Sequence, residues 1–117
     1  MDQKKNELTI TFDGIKGHEA SFAAEELKQA VVDLGEPDVE VTTKKERANT
    51  QDFGATLVLV FGTRVAVALA KGIAGWLRRR ADMTTIVIHD KNGRELLKYH
   101  GEAEEMDNLA AILKASQ

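Results

Sequence analysis

Five basic residues offer the clearest chemistry in this chain. Arg64, Lys71 and Arg78 recur every seven residues, and Arg79 and Arg80 extend the last of them into a run of three arginines. Seven residues return to nearly the same face of a helix, so Arg64, Lys71 and Arg78 predict one polar stripe. Cations at the C-terminal end of a helix complement its dipole. They also form a docking surface for an acidic protein, an anionic lipid surface or nucleic acid. Nucleic-acid stacking calls for aromatic residues interleaved with the arginines. Only Trp76 is close, and it falls on the apolar side of the same helix, so no nucleic-acid partner is expected. Arg64, Lys71, Arg78, Arg79 and Arg80 are the candidate partner-docking residues.

Other reactive side chains do not combine. His89 and His100 share a face of a predicted hairpin but sit several residue pairs apart, too far for one metal ion. His18 opens the first predicted helix as a surface residue. The absence of cysteine excludes a disulfide scaffold, thiolate zinc and cysteine catalysis, and suits a reducing cytoplasmic setting. Ser21 and Ser116 have no histidine at a recognisable spacing, which leaves nucleophilic catalysis without support. Gly54 and Gly62 precede a helix, but FGTRVAVALAKG lacks both the Lys-Ser/Thr ending of a P-loop and dinucleotide-fingerprint spacing. An anion at the helix start near Gly62 is the weaker alternative to close packing. No catalytic residue, cofactor or metal ligand is assigned.

The elements that position the arginines follow from periodicity. Leu8, Ile10 and Phe12 alternate with polar residues, which predicts a half-buried strand. Ala20, Ala23, Ala24, Leu27, Val31 and Leu34 follow at helical spacing and end at Gly35 and Pro37, a glycine cap and a residue that cannot continue the helix. Val39 and Val41 mark a second strand, parallel to the first if the two share a sheet. Lys44 to Phe53 has no periodicity and reads as a solvated loop. In the central helix, Val65, Leu69, Ile73, Trp76 and Leu77 form the apolar stripe. Ala66, Ala70 and Ala74 form a row that permits close packing. Leu57 to Phe61 fits either the start of this helix or a short buried strand, and helix is favoured.

Gly54–Leu77 is long enough to span a bilayer, which takes about 20 residues. Arg64 and Lys71 lie inside it, however, and each costs roughly 2.5–3.5 kcal/mol at the bilayer centre. A buried core helix is the better reading, with a membrane-docked or membrane-active segment over 54–77 as the alternative. Met83 to Tyr99 reads as a hairpin around Asn92-Gly93. A two-residue turn puts Ile86, Ile88, Leu97 and Tyr99 on one face. A bulged three-residue loop would instead pair Asp90 with Arg94 and scatter them. Burying large apolar side chains, at roughly 1.5–3 kcal/mol each, outweighs one exposed ion pair at about 1 kcal/mol or less. The two-residue turn is preferred. Met106, Leu109, Ala110 and Leu113 line a last helix whose first turns hold Glu102, Glu104, Glu105 and Asp107.

These elements make a single α+β domain over residues 1–117, ordered β-α-β-α-β-β-α, with a four-stranded mixed sheet packed by helices. The 117 residues, 43% hydrophobic and 30% charged, suffice for one core, and a net charge of −3 exerts no global pull on nucleic acid. MDQKKNEL lacks the apolar region of a signal peptide, and a cytoplasmic location is expected.

GTRVAVALAKGIAG runs into Trp76-Leu77-Arg78-Arg79-Arg80, followed by TTIVI, the turn DKNG and a second strand. Over roughly Gly54 to Tyr99 this pattern resembles the effector-associated constant component domains of bacterial NTP-dependent conflict systems. The resemblance implies a small non-catalytic adaptor encoded beside effectors and regulatory NTPases or proteases, acting in antiviral defence or programmed death. It implies a protein partner, an effector, protease-like or NTPase component; a homo-oligomer is a separate possibility. It assigns no catalytic residue. A small nucleotide-binding domain is the remotest reading.

Overall fold

Alternation of apolar and polar residues builds β1 (Lys5–Asp13), with Leu8 and Ile10 buried and Glu7 and Asp13 exposed. The structure, a computed structural model, describes residues 5–13, 15, 17–45, 55–80, 85–99 and 106–115. Helix α1 (Gly17–Val32) buries Ala20, Ala23, Ala24, Leu27 and Val31 of the stripe its spacing predicts, while Leu34, the last member, falls in the turn after the helix and is half-buried. It stops where Gly35 takes a left-handed φ of 71° and donates its N–H to the Val32 carbonyl at 3.0 Å.

Strand β2 (Val39–Lys45) includes Lys44 and Lys45, which pair with Thr56 and Ala55 rather than opening the loop expected from residue 44. The rest of that expected loop lies outside the described residues. The segment Leu57–Phe61, expected as helix, belongs to β3 (Ala55–Gly62). Leu57, Leu59 and Phe61 are fully buried while Thr56, Val58 and Val60 between them are half-buried, the period of two that only a strand produces. The run looked continuous because β3 is apolar on both faces.

A turn of 3-10 helix (Thr63–Val65) leads into α2 (Ala66–Arg79), followed by β4 (Thr85–Asp90), β5 (Glu95–Tyr99) and α3 (Met106–Ala115). The order is therefore β-α-β-β-α-β-β-α. The sheet has five strands in the order β2-β3-β1-β4-β5, every neighbouring pair antiparallel, in place of the four-stranded mixed sheet expected. Strands β1 and β2 do run parallel in one sheet, but β3 lies between them and is antiparallel to both. Strands β1 to β4 with α1 and α2 make a split β-α-β arrangement, extended by β5 and α3.

The β4–β5 hairpin reconciles the two registers that competed in sequence. Asp90 and Arg94 close a three-residue loop, Asp90 N–H to the Arg94 carbonyl at 2.9 Å, and Gly93 supplies the positive φ of 87°. The preferred two-residue turn is thus absent. Ile86 still faces Tyr99 and Ile88 still faces Leu97, because a shift between Ile88 and His89 places His89 opposite Glu95. The bulge at Leu96 absorbs the extra residue and keeps the apolar face intact.

One apolar cluster joins the sheet to all three helices: Leu8, Ile10, Leu57, Leu59, Phe61, Ile86, Ile88 and Tyr99 meet Leu27, Val31, Leu69, Ile73, Leu109 and Leu113. Helix α2 and the 3-10 turn before it bury the whole predicted stripe, Val65 in the turn and Leu69, Ile73, Trp76 and Leu77 in the helix, together with Ala66, Ala70 and Ala74. Phe12 of β1 meets Trp76 edge to face at a centroid distance of 6.1 Å. On α3, Leu109 and Leu113 are buried and Lys114 lies in the last turn; Glu102, Glu104 and Glu105 lie outside the described residues.

Candidate functional site

The basic stripe sits on the outer side of α2 because the inner side is committed to the core. Arg64, in the turn before the helix, and Lys71, Arg78 and Arg79 within it are all exposed. No acidic residue interrupts α2. Arg78 and Arg79 fall in the last turn, where their charge meets the negative end of the helix dipole.

Arg80 is different. Helix α2 ends at Arg79, and Arg80 takes an extended backbone with φ −78° and ψ 139°. Its guanidinium donates to Glu26 Oε1 at 2.7 Å and lies 5.1 Å from the centre of the Trp76 ring, with only 16% of the side chain exposed. Four of the five candidates therefore share one exposed surface, and the fifth ties α2 to α1.

Two contacts define how α1 and α2 lie side by side. Leu34, just past α1, approaches Gly72 so closely that an added Cβ would come within 3.0 Å of its side chain. Glu26, eight residues earlier, meets Arg80, eight residues later. The two helices are thus antiparallel, and both turn their outer faces away from the sheet.

The outer face of α1 carries residues that sequence reading passed over. Phe22 is 66% exposed and Val32 53%, and with Val67 of α2 they are the exposed large hydrophobic residues among those described. Glu19, Glu25, Glu26 and Asp33 share this exposed arc. His18, Glu19, Ser21, Phe22 and Glu25 line a shallow, mainly apolar depression near the start of α1. The signal was present in the spacing, since residues 22 and 32 fall off the stripe formed by 20, 23, 24, 27 and 31.

The remaining candidates separate in space. His18 is exposed on α1. His89 lies on the sheet face opposite the helices, with Nε2 3.2 Å from Thr11 Oγ1. His100 lies outside the described residues. No group of three His, Asp or Glu side chains converges among the described residues. Gly62 is buried at the end of β3 and donates its N–H to the Asp38 carbonyl at 3.1 Å. A Cβ there would collide with the Asp38 carboxylate, so the glycine serves a close approach.

Residues 55–77 do not form one apolar rod but divide between β3, the 3-10 turn and α2. No helix among the described residues is long and apolar enough to cross a membrane.

Two further polar sites complete the picture. Asp90 Oδ1 accepts the backbone N–H groups of Arg94 and Asn92, each at 2.9 Å. The Arg94 hydrogen bond above all holds the Asp90 carboxyl below its ordinary range. Asn6 is the buried polar side chain among the described residues. Its Nδ2 donates to the Leu113 carbonyl at 3.0 Å and to Thr63 Oγ1 at 3.4 Å, which pins α3 and the start of α2 to β1.

Comparison of the chain with protein-family models, curated proteins and solved structures finds no match.

Proposed function

We propose that this chain is a non-catalytic adaptor that docks an acidic protein surface through Arg64, Lys71, Arg78 and Arg79. The observation that carries the reading is their shared exposure on a helix whose opposite face is locked into the core. Such a surface presents charge without reorganising the fold. Arg80 supports the surface by holding the end of α2 against α1. The resemblance to effector-associated constant components supplies the setting: a bacterial defence system in which the partner is an effector, protease-like or NTPase component. Association through exposed cations is steered by charge and weakened by salt.

The test is co-purification of wild type and of the Arg78→Glu, Arg79→Glu variant with the effector or NTPase encoded beside it. Loss of the complex with an unchanged melting curve supports docking. A folded variant that binds at full strength overturns it.

A further inference from the structure

We propose that the helix layer is self-complementary, so that two copies pair with the acidic α1 of each lying on the basic α2 of the other. The proposal rests on the docking role of the α2 stripe and names its partner surface: α1 of a second copy.

Three observations converge on it. The charge is divided by helix. Helix α1 and the turn after it expose Glu19, Glu25 and Asp33, beside Glu26, which Arg80 of the same copy already holds, whereas α2 and its preceding turn expose Arg64, Lys71, Arg78 and Arg79. The exposed large hydrophobic residues among those described, Phe22, Val32 and Val67, all lie on these two helices. They supply the apolar anchors that a charged rim alone lacks. Finally, α1 and α2 are antiparallel neighbours facing the same way. A two-fold axis along the seam between them sets each α1 over the other copy's α2, and both contacts are satisfied at once. An interface that closes on itself in this way gives a dimer rather than a fibre.

The size of the surface sets its strength. Sixteen residues make α1 about 24 Å long. Two helices packed about 10 Å apart present a strip roughly 20 Å wide, or about 500 Å² per copy in projection. That is below the ~800 Å² per partner of stable complexes, so the dimer is weak, concentration-dependent and salt-sensitive. Self-pairing and effector docking then compete for the same arginines.

The experiment is sedimentation equilibrium of the full chain, up to about 1 mM, which populates even a contact with a millimolar dissociation constant. The average mass of wild type should rise with concentration from 12.9 kDa toward twice that value at low salt and return to the monomer at high salt. Two charge reversals, Arg78→Glu with Arg79→Glu on α2 and Glu25→Lys with Asp33→Lys on α1, should each leave a folded monomer. Mixed in equal amounts, they should recover the dimer, since each then offers the other opposite charge at both contacts. Phe22→Ala should weaken wild-type pairing at least tenfold. A wild type that stays monomeric, or a dimer indifferent to both reversals, overturns the proposal. A monomeric wild type that loses its effector on Arg78→Glu, Arg79→Glu removes self-pairing alone. A dimer behaving as described, beside effector binding untouched by that variant, removes effector docking alone.

Discussion

The guanidinium of Arg80 lies over the ring of Trp76, 5.1 Å from its centre, while the same group donates to Glu26 at 2.7 Å. One side chain thereby joins the end of α2 to its own tryptophan and to the neighbouring helix. Phe12 meets the same tryptophan edge to face, so this corner links β1, α1 and α2.

Trp76 is 5% exposed at the centre of that corner. Trp76→Ala should cost about 3–5 kcal/mol, the usual range for deleting a buried large aromatic. A urea melt measures it. A loss below about 1 kcal/mol would place Trp76 outside the core.

The three consecutive arginines should not behave alike. Arg80→Ala removes a partly exposed ion pair, worth up to about 1 kcal/mol, and a cation–π contact of about 0.5–1 kcal/mol. Arg78→Ala and Arg79→Ala should stay within about 0.5 kcal/mol of wild type. Melts of the three variants, with a double-mutant cycle against Glu26→Ala, test the distinction. Equal effects at all three positions would return Arg80 to the exposed stripe.

That distinction also marks the limit of what the residues alone reveal. Periodicity identified the inner face of α2 and the stripe of α1, because each has a polar side for contrast. It failed at Leu57–Phe61, where Val58 and Val60 make the second face of β3 apolar and erase the alternation. The weighing of hairpin registers ranked the apolar face correctly but allowed one solution only. The bulge at Leu96 keeps both that face and the Asp90–Arg94 closure. Arg80 is indistinguishable from its neighbours by spacing because its partner, Glu26, lies 54 residues earlier in the chain. Local spacing carries no information about such a contact. The exposed basic stripe of Arg64, Lys71, Arg78 and Arg79 was legible from its spacing, whereas Phe22 on the neighbouring helix fits no stripe.

The hairpin loop should depend on pH through Asp90. Its folded carboxyl is held below the ordinary 3.8 by the Arg94 and Asn92 N–H groups. An acid depressed on folding stabilises above its unfolded value, and that contribution disappears as pH falls through the folded value. Asp90→Ala should therefore be less stable than wild type at neutral pH. The gap should close as pH falls below 3.8. Chemical melts across that range measure it, and a gap independent of pH would mean that the carboxylate charge contributes nothing to the turn.

Asn6 is the position where one substituted atom should matter most. Its Nδ2 satisfies the Leu113 carbonyl inside the protein, and the residue is only 1% exposed. Asn6→Ala leaves that carbonyl without this donor, at a cost of about 1–3 kcal/mol. Asn6→Asp keeps the shape but turns the donor into a second acceptor facing the carbonyl, and it buries a charge. Burial raises the folded pKa of the new carboxyl above its unfolded value of about 3.9. The sign then opposes that of Asp90: the folded state binds the proton more tightly, so stability is highest in acid and is lost as pH rises between the two values. Asn6→Asp should thus be less stable than Asn6→Ala near neutral pH and should recover on acidification, a reversal that urea melts at two pH values would reveal. Amide exchange should report the loss first in α3, whose tie to β1 runs through this side chain. Two variants of equal stability at both pH values would show that Asn6 packs without directing the docking of α3.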